Sequence, residues 1–167
     1  MGQINLARVD ERLIHGQVML TLSQRNGVNS IFVVDDVVAK DKFMKDLYKS
    51  AGSRTGKKTI VMTIDKAKFY WDEYEFKDYS AIVIAKTIKV FYELAKHGIP
   101  ITELNLGGIA KKSEDDVQVY STVYIDEEDA KMLREMHDEM GITNIYFQST
   151  PSAPKTSYDD AMAIYNK

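Results

Sequence analysis

Short, continuously apolar runs alternate along this chain with segments whose apolar residues recur at helical spacing. Residues 31–34 and 81–84 are apolar at every position. Such runs are typical of strands in a parallel sheet that is covered on both faces. Seven runs are predicted strands, at residues 4–9, 30–34, 59–63, 80–85, 103–106, 117–123 and 142–147.

The segments between these runs carry apolar stripes that predict helices. The stripes are Ile14, Val18 and Leu22; Phe43, Leu47 and Ala51; Ile88, Phe91 and Ala95; and Ala130, Leu133, Met136 and Met140. Two further helices are predicted within residues 65–74 and 158–165. Alternating strands and helices favour a doubly wound, mostly parallel open sheet of about seven strands with helices on both faces. No repeat or linker divides the chain, so residues 1–167 are predicted to form one domain.

The amino-acid composition argues against several classes of function. The formal net charge is −3, which provides no basic field for binding nucleic acid. The chain has no cysteine, so disulfides and thiolate chemistry are excluded. No apolar run approaches the roughly 20 residues needed to span a bilayer, and no secretory signal is visible.

The most informative segment is residues 8–17, directly after the first predicted strand. In this segment, Arg8 and Arg12 precede His15, and an apolar pattern typical of a helix follows it. Imidazole can act as a nucleophile, and guanidinium groups suit phosphate oxygens. The backbone N–H groups at a helix N-terminus, here Gly16 and Gln17, also favour anions. The segment therefore predicts anion chemistry.

A purely structural interpretation of the same segment is also available. Asp10 and Arg12 would then form an ordinary surface ion pair, and His15 would begin a helix without any chemistry. The position of the segment argues against this, because ligands of open α/β sheets bind where strands end and helices begin.

Other candidate residues have simpler structural interpretations. His97 is predicted at a helix C-terminus, where a cation complements the helix dipole, and His137 on a solvated helix face. Neither has metal-ligand spacing, so no metal site is predicted. Asp35 and Asp36 follow the second strand and fit helix capping better than general-base chemistry. Gly107–Gly108 offers backbone N–H groups to an oxyanion but is not a Walker motif.

Residues 8–18 resemble the signature of the IIB subunits of the mannose/fructose/sorbose family of the bacterial sugar phosphotransferase system. The similarity continues, in the same order, at residues 33–41, 98–101, 104–108 and 124–129. The resemblance implies one antiparallel edge strand in the sheet, and a single IIB domain over residues 1–167.

The resemblance also implies a reaction and a set of partners. In that family the signature histidine, here His15, accepts a phosphoryl group from a IIA protein and passes it to a sugar. The sugar is bound by membrane subunits IIC and IID, so the protein is expected in the cytoplasm, transiently at the inner face of the membrane. Phosphohistidine is itself a high-energy donor, so neither ATP nor another cofactor is expected.

Each residue of the segment receives an expected role. His15 is the phosphoryl acceptor, Arg12 neutralises the transferred group, and Asp10 orients an arginine or the imidazole ring. Phosphate-binding roles are expected for Arg8, Gly16 and Gln17.

Two rival functions remain. One is a IIB-like regulatory module whose phosphorylation reports sugar supply, which would use the same chemistry at His15. The other is a small α/β hydrolase or nucleotide-binding protein. The second is disfavoured because the chain has neither a Gly-x-Ser-x-Gly elbow nor a Gly-x-Gly-x-x-Gly loop.

Overall fold

A computed structural model describes residues 1–167 and confirms the α/β class. The strands are β1 (Gln3–Asp10), β2 (Ser30–Val34), β3 (Lys58–Met62), β4 (Ser80–Ala85), β5 (Leu104–Gly108), β6 (Val117–Tyr120), β7 (Val123–Ile125), β8 (Ile145–Phe147) and β9 (Thr156–Ser157). The helices are α1 (Gly16–Leu22), α2 (Asp36–Lys40), α3 (Lys42–Ser53), α4 (Ile64–Tyr74), α5 (Ile88–Lys96), α6 (Glu127–Asp138) and α7 (Tyr158–Tyr165). No helix combines the length and the apolar character needed to cross a membrane.

Seven strands form one sheet in the order β3-β2-β4-β1-β5-β8-β9. All neighbours are parallel except β9, which pairs antiparallel with β8. The predicted sheet is therefore confirmed, including its antiparallel edge. Strand β1 lies at the centre, and its carboxyl end shares one edge of the sheet with the ends of β5 and β8.

The predicted strand at residues 117–123 is wrong as a member of this sheet. The segment begins a two-stranded antiparallel hairpin of β6 and β7, which turns at residues 121–122. A single bridge between Ile109 and Val123 connects the hairpin to the chain after β5. The seventh strand of the sheet is instead the two-residue β9, which is too short to produce an alternating pattern.

Helices cover both faces of the sheet and bury two apolar cores. The smaller core contains Met19, Leu22 and Val38, against which α3 packs with Met44 and Tyr48. The larger core contains residues of α4, α5, α6 and α7, including Phe91, Leu133 and Met162. Strand residues alternate between the two cores, which explains why the strands are apolar at successive positions.

Two of the three residues in the apolar stripe predicted for α3 point away from the core. Phe43 is 74% exposed and Leu47 is 50% exposed. The third residue, Ala51, packs against the smaller core together with Met44 and Tyr48 of the neighbouring stripe. Both stripes have helical spacing, so only the tertiary contacts distinguish the buried face from the exposed face.

Polar residues at helix starts act as caps. The Asp35 side chain accepts a hydrogen bond from Val38 N at 2.8 Å, which confirms the capping role expected for it. Asp36 accepts one from Ile64 N at 2.8 Å and thereby links α2 to the start of α4. These carboxylates are therefore occupied by the backbone.

Candidate functional site

The segment between β1 and α1 forms a tight loop at the carboxyl end of the central strand. Leu13 has a positive φ of 58°, which a side chain rarely adopts, and is 1% exposed. Its burial in the smaller core compensates for this backbone strain. His15 is the N-cap residue of α1, with extended backbone and no capping hydrogen bond from its side chain. The loop therefore leaves the imidazole free for other contacts, with its side chain 26% exposed.

Asp10, the last residue of β1, is the centre of the site. Its side chain is 0% exposed and accepts five hydrogen bonds. Oδ2 accepts from Arg8 Nη2 at 3.0 Å and from Arg12 Nη2 at 3.1 Å, and lies 3.1 Å from His15 Nε2. Oδ1 accepts from the backbone N and the Nε of Arg12 at 3.0 and 3.1 Å. One carboxylate thus joins both arginines and the histidine.

The two arginines occupy different environments. The Arg12 side chain is 54% exposed, whereas the Arg8 side chain is 2% exposed. The Arg8 guanidinium also donates to the Asn105 side chain and to the backbone oxygens of Gln148 and Ser149, at 3.3 and 2.7 Å. With Asp10 included, these contacts use all four terminal N–H groups of Arg8. Arg8 therefore lies beneath the site and not at its surface.

The pKa shifts are consistent with a charged cluster. Burial raises the pKa of Asp10, but hydrogen bonds from Arg12 and the charge of Arg8 outweigh it and hold the pKa below its usual range. Burial lowers the pKa of the Arg8 guanidinium, although the Asp10 carboxylate opposes that shift. An arginine remains charged at neutral pH even after such a shift. Asp10 is therefore an anion between two cations.

Gly107 and Gly108 of β5 make room for this cluster. A Cβ on Gly107 would lie 2.3 Å from Arg8 Nη2, and one on Gly108 would lie 3.2 Å from Asp10 Oδ1. The oxygen of Gly108 accepts a hydrogen bond from Glu11 N at 3.0 Å, which holds the loop against β5. The glycines thus admit side chains from β1.

The other histidines lie away from this loop. His97, at the end of α5, has Nε2 2.9 Å from the Asp72 carboxylate of α4. His137 has Nδ1 2.7 Å from Asp138, and its ring stacks on Tyr158 with centroids 3.9 Å apart. His137 is therefore half-buried between two helices and not on a solvated face. No group of three or more His, Asp and Glu side chains is arranged to hold a metal ion.

Three contacts of the site were missed by sequence reasoning. Asn105 sits in β5, and Gln148 and Ser149 follow β8, so they reach Arg8 from two other strands. Asn105 could have been recognised from the sequence, because it is a polar residue inside an otherwise apolar strand. The roles of Gln148 and Ser149 left no such signal, because only their backbone oxygens take part.

The fold and the site together define an α/β domain with a histidine, an exposed arginine and a shared carboxylate at the carboxyl end of its central strand. The model of a protein family described as the sorbose subfamily IIB component of the PTS system matches residues 4–167. The chain belongs to this family. It is therefore a IIB component, a phosphoryl-transfer module in sugar uptake.

Individual relatives agree with this assignment. The chain is 32% identical over 139 residues to the sorbose-specific EIIB component of Lacticaseibacillus casei, covering 83% of each chain. It is 31% identical over 157 residues to the N-acetylgalactosamine-specific enzyme IIB component 1 of Escherichia coli, covering 94% of this chain and 97% of that one. The crystal structure of manxB from Thermoanaerobacter tengcongensis superposes with a TM-score of 0.90 at 31% identity, covering 100% and 99% of the two chains.

Proposed function

We propose that His15 is the residue that carries the phosphoryl group, and that Nδ1 is the nitrogen that carries it. The observation behind this proposal is the 3.1 Å contact between His15 Nε2 and Asp10 Oδ2. Because the carboxylate is ionised, Nε2 must carry the hydrogen in that contact. The lone pair of the neutral ring is then on Nδ1, which is free to attack phosphorus.

The transfer proceeds by exchange of one P–N bond for another. The Nδ1 lone pair of His15 attacks the phosphoryl group of a IIA phosphohistidine, and the donor P–N bond breaks as the new one forms. In the next step a sugar hydroxyl attacks the same phosphorus, the His15–P bond breaks to return the neutral imidazole, and the hydroxyl proton passes to solvent. The donor is the phosphohistidine, so the step uses no nucleotide.

The surrounding residues have separate roles in stabilising the charge of the phosphoryl group and in orienting His15. Arg12 is exposed and already fixed through Nε, so its remaining N–H groups can meet the equatorial phosphoryl oxygens. The backbone N–H groups of Gly16 and Gln17 open the first turn of α1, where intrahelical partners are lacking. Asp10 fixes the imidazole ring and its tautomer, as the carboxylate does in hydrolase triads.

Arg8 receives a different role from the direct phosphate contact expected from sequence. Its terminal N–H groups are all occupied and its side chain is buried. We propose that it positions Asp10, and through Asp10 both His15 and Arg12.

The partners follow from membership in the family. We propose a IIA protein as the phosphoryl donor and membrane subunits IIC and IID as the carriers of the sugar, with the domain spanning residues 1–167 and working at the inner face of the membrane. The two relatives above are specific for sorbose and for N-acetylgalactosamine, so the family alone leaves the sugar open.

The direct test is phosphorylation in the reconstituted system. The protein is incubated with phosphoenolpyruvate, the general proteins of the phosphotransferase system and a IIA protein. Its intact mass is then measured at neutral pH, because a phosphoramidate is acid-labile. We expect one phosphoryl group on the natural chain and on His97→Ala and His137→Ala, and none on His15→Ala. NMR of the imidazole nitrogens then assigns the site. Phosphate retained by His15→Ala contradicts the proposal, and phosphate on Nε2 contradicts the assignment to Nδ1.

A further inference from the structure

A groove of about 540 Å³ runs along the outer edge of β3, at the end of the sheet. Four lysines line it, and they come from four parts of the chain. Lys45 belongs to α3, Lys58 to β3 and Lys66 to α4, while Lys77 lies in the turn after α4. No carboxylate lines the groove. Its charge is therefore positive, in contrast to the net charge of −3 of the whole chain.

Three of these lysines lie near aromatic rings at the groove. Lys58 Nζ lies 5.6 Å from the ring centroid of Tyr79. Lys66 Nζ lies 5.2 Å from that of Phe69, and Lys77 Nζ lies 5.2 Å from that of Tyr74. Cations over ring faces are attracted by the ring quadrupole. The groove thus combines positive charge with exposed aromatic surface, which suits a ligand that carries both carboxylates and apolar groups.

The backbone of β3 has no strand partner on the same side, although Val61 is only 4% exposed. Strand β3 pairs only with β2, and Asp35 N donates to Met62 O at 3.0 Å. The N–H and C=O of one strand residue point to the same side, and successive residues alternate. Met62 therefore faces β2, whereas Val61, which lines the groove, directs its backbone polar groups outward.

We propose that this edge binds an acidic, extended segment of a partner protein, which adds to β3 as a further strand. The unpaired edge supplies main-chain hydrogen bonds, and side-chain pockets beside it supply specificity. Carboxylates of the segment meet the lysines, and its apolar side chains cover the aromatic rings. A second copy of this chain is disfavoured, because pairing two β3 edges would bring like-charged lysines together.

A lysine on an edge strand can also serve to prevent sheet aggregation. Lys58 by itself would meet that need. The other three lysines come from helices and a turn that converge on the same groove, which points to a ligand. The groove lies three strands from β1, or about 14 Å at the usual strand spacing, so it is separate from His15.

Binding is tested by fluorescence anisotropy with labelled peptides of about eight residues, a typical strand length. The probe alternates Glu with Val. One control alternates Lys with Val, and another alternates Glu with Pro, which keeps the charge but removes half of the backbone donors. We expect binding of the Glu–Val peptide that weakens with salt, and at least about tenfold weaker binding of both controls.

Variants of the protein locate the site. Lys58→Glu combined with Lys66→Glu should weaken Glu–Val binding by about tenfold or more. The matched control, Lys40→Glu with Lys49→Glu, makes the same change in net charge on exposed helix positions outside the groove and should leave binding unchanged. Val61→Pro should weaken binding by removing an outward N–H that β2 does not use.

The outcomes decide between occupants. Equal binding by the groove variant and its matched control overturns the proposal, as does equal binding of the Glu–Pro peptide. Inorganic phosphate or ATP that displaces the probe completely at low millimolar concentration would indicate a small-anion site instead, which also overturns it. His15→Ala should bind the peptide normally, and the groove variant should still be phosphorylated, so failure here is distinct from failure at His15.

Discussion

At the scale of single residues, the chemistry proposed for this protein depends on one buried carboxylate. Asp10 is an anion with no exposed surface, and two guanidinium groups and an imidazole share it. A buried charge of this kind is tolerated only while it is paired and hydrogen-bonded. The side chains of the site therefore depend on one another, and removing each cation should have a different effect.

Substitutions of the two arginines should affect the transfer rate and the stability of the fold to different extents. Arg12→Ala removes an exposed side chain and two hydrogen bonds to Asp10, and water can take its place, so we expect a loss of about 1–2 kcal/mol in the free energy of unfolding. Its phosphoryl transfer should slow on the order of 10²–10³-fold, because a positioned charge donor is lost. Arg8→Ala leaves Asp10 with one buried partner fewer and should cost about 3–5 kcal/mol. Urea unfolding and single-turnover transfer measure the two effects, and normal kinetics in Arg12→Ala would remove Arg12 from the mechanism.

Asp10→Asn should show a defined dependence on pH. The folded-state pKa of Asp10 lies below its unfolded value of about 3.9, because its hydrogen bonds and neighbouring cations outweigh burial. The stability that this carboxylate contributes is thus fully present above about pH 4 and is lost as the pH falls through the folded-state pKa. Urea unfolding from pH 7 to pH 3 should show Asp10→Asn less stable at neutral pH, with a difference that shrinks in acid. A difference that stays constant with pH is inconsistent with this account.

At the scale of elements, the site is assembled by adjacent strands and not by the loop alone. Strand β1 supplies Arg8 and Asp10, β5 supplies Asn105 and the space at Gly107, and the chain after β8 supplies two backbone oxygens. The loop adds Arg12 and His15 on top of this base. The parallel pairing of β1, β5 and β8 places all their carboxyl ends together.

Gly107→Ala tests this support from β5. Its Cβ would lie 2.3 Å from Arg8 Nη2, and Arg8 is confined by its buried partners. We expect a loss of about 1–3 kcal/mol in stability, as for other overpacked cores, together with slower phosphorylation of His15. Gly108→Ala is the matched control, since its nearest contact is 3.2 Å and should cause a smaller loss. Equal effects at both positions would argue against the crowding of Arg8 as the cause.

A second prediction at this scale concerns the link between the turn after α1, the residue before β5, and β8. Glu103 accepts from Arg25 at 2.8 Å and from the Tyr146 hydroxyl. Burial raises the pKa of Glu103, but its hydrogen bonds from Arg25 and Tyr146 outweigh that effect and lower it. Glu103→Gln should therefore cost about 1 kcal/mol at neutral pH, and the cost should shrink as the pH falls below the unfolded-state pKa of about 4.3 and through the lower folded-state pKa. Thermal unfolding at pH 7 and pH 3 measures it, and an equal cost at both values contradicts the ionic account.

At the scale of the whole molecule, the site is partly exposed, as the proposed exchange with more than one partner requires. His15 is partly exposed at one edge of the sheet, beside the exposed Arg12. A carrier that binds one partner tightly would block the next one. Small interfaces with complementary charge suit such exchange, because electrostatics raises the association rate more than the affinity.

Titration against the cognate IIA protein measures this directly. We expect a Kd of about 1 µM or weaker, with a clear loss of affinity as salt is added. Arg12→Glu should slow association, while Lys40→Glu, on α2, should not. A nanomolar complex that is insensitive to salt would indicate a stable assembly in place of a relay.

The local sequence determined most of the framework of this protein. Continuous apolar runs gave six strands of the main sheet within a few residues, because strands buried on both faces leave a pattern that needs no knowledge of their neighbours. The cap at Asp35 was equally local, since its side chain accepts from Val38, three residues further along the chain.

Tertiary structure decided the features that depend on contacts between distant segments. It buried Arg8 beneath Asp10, because Asn105 and the chain after β8 reach it from 97 and 140 residues away. It exposed Phe43 and Leu47, since two stripes on α3 have equal spacing and only one meets the sheet. It also turned residues 117–125 into a hairpin and recruited the short β9, where pairing depends on a partner and not on the local apolar pattern.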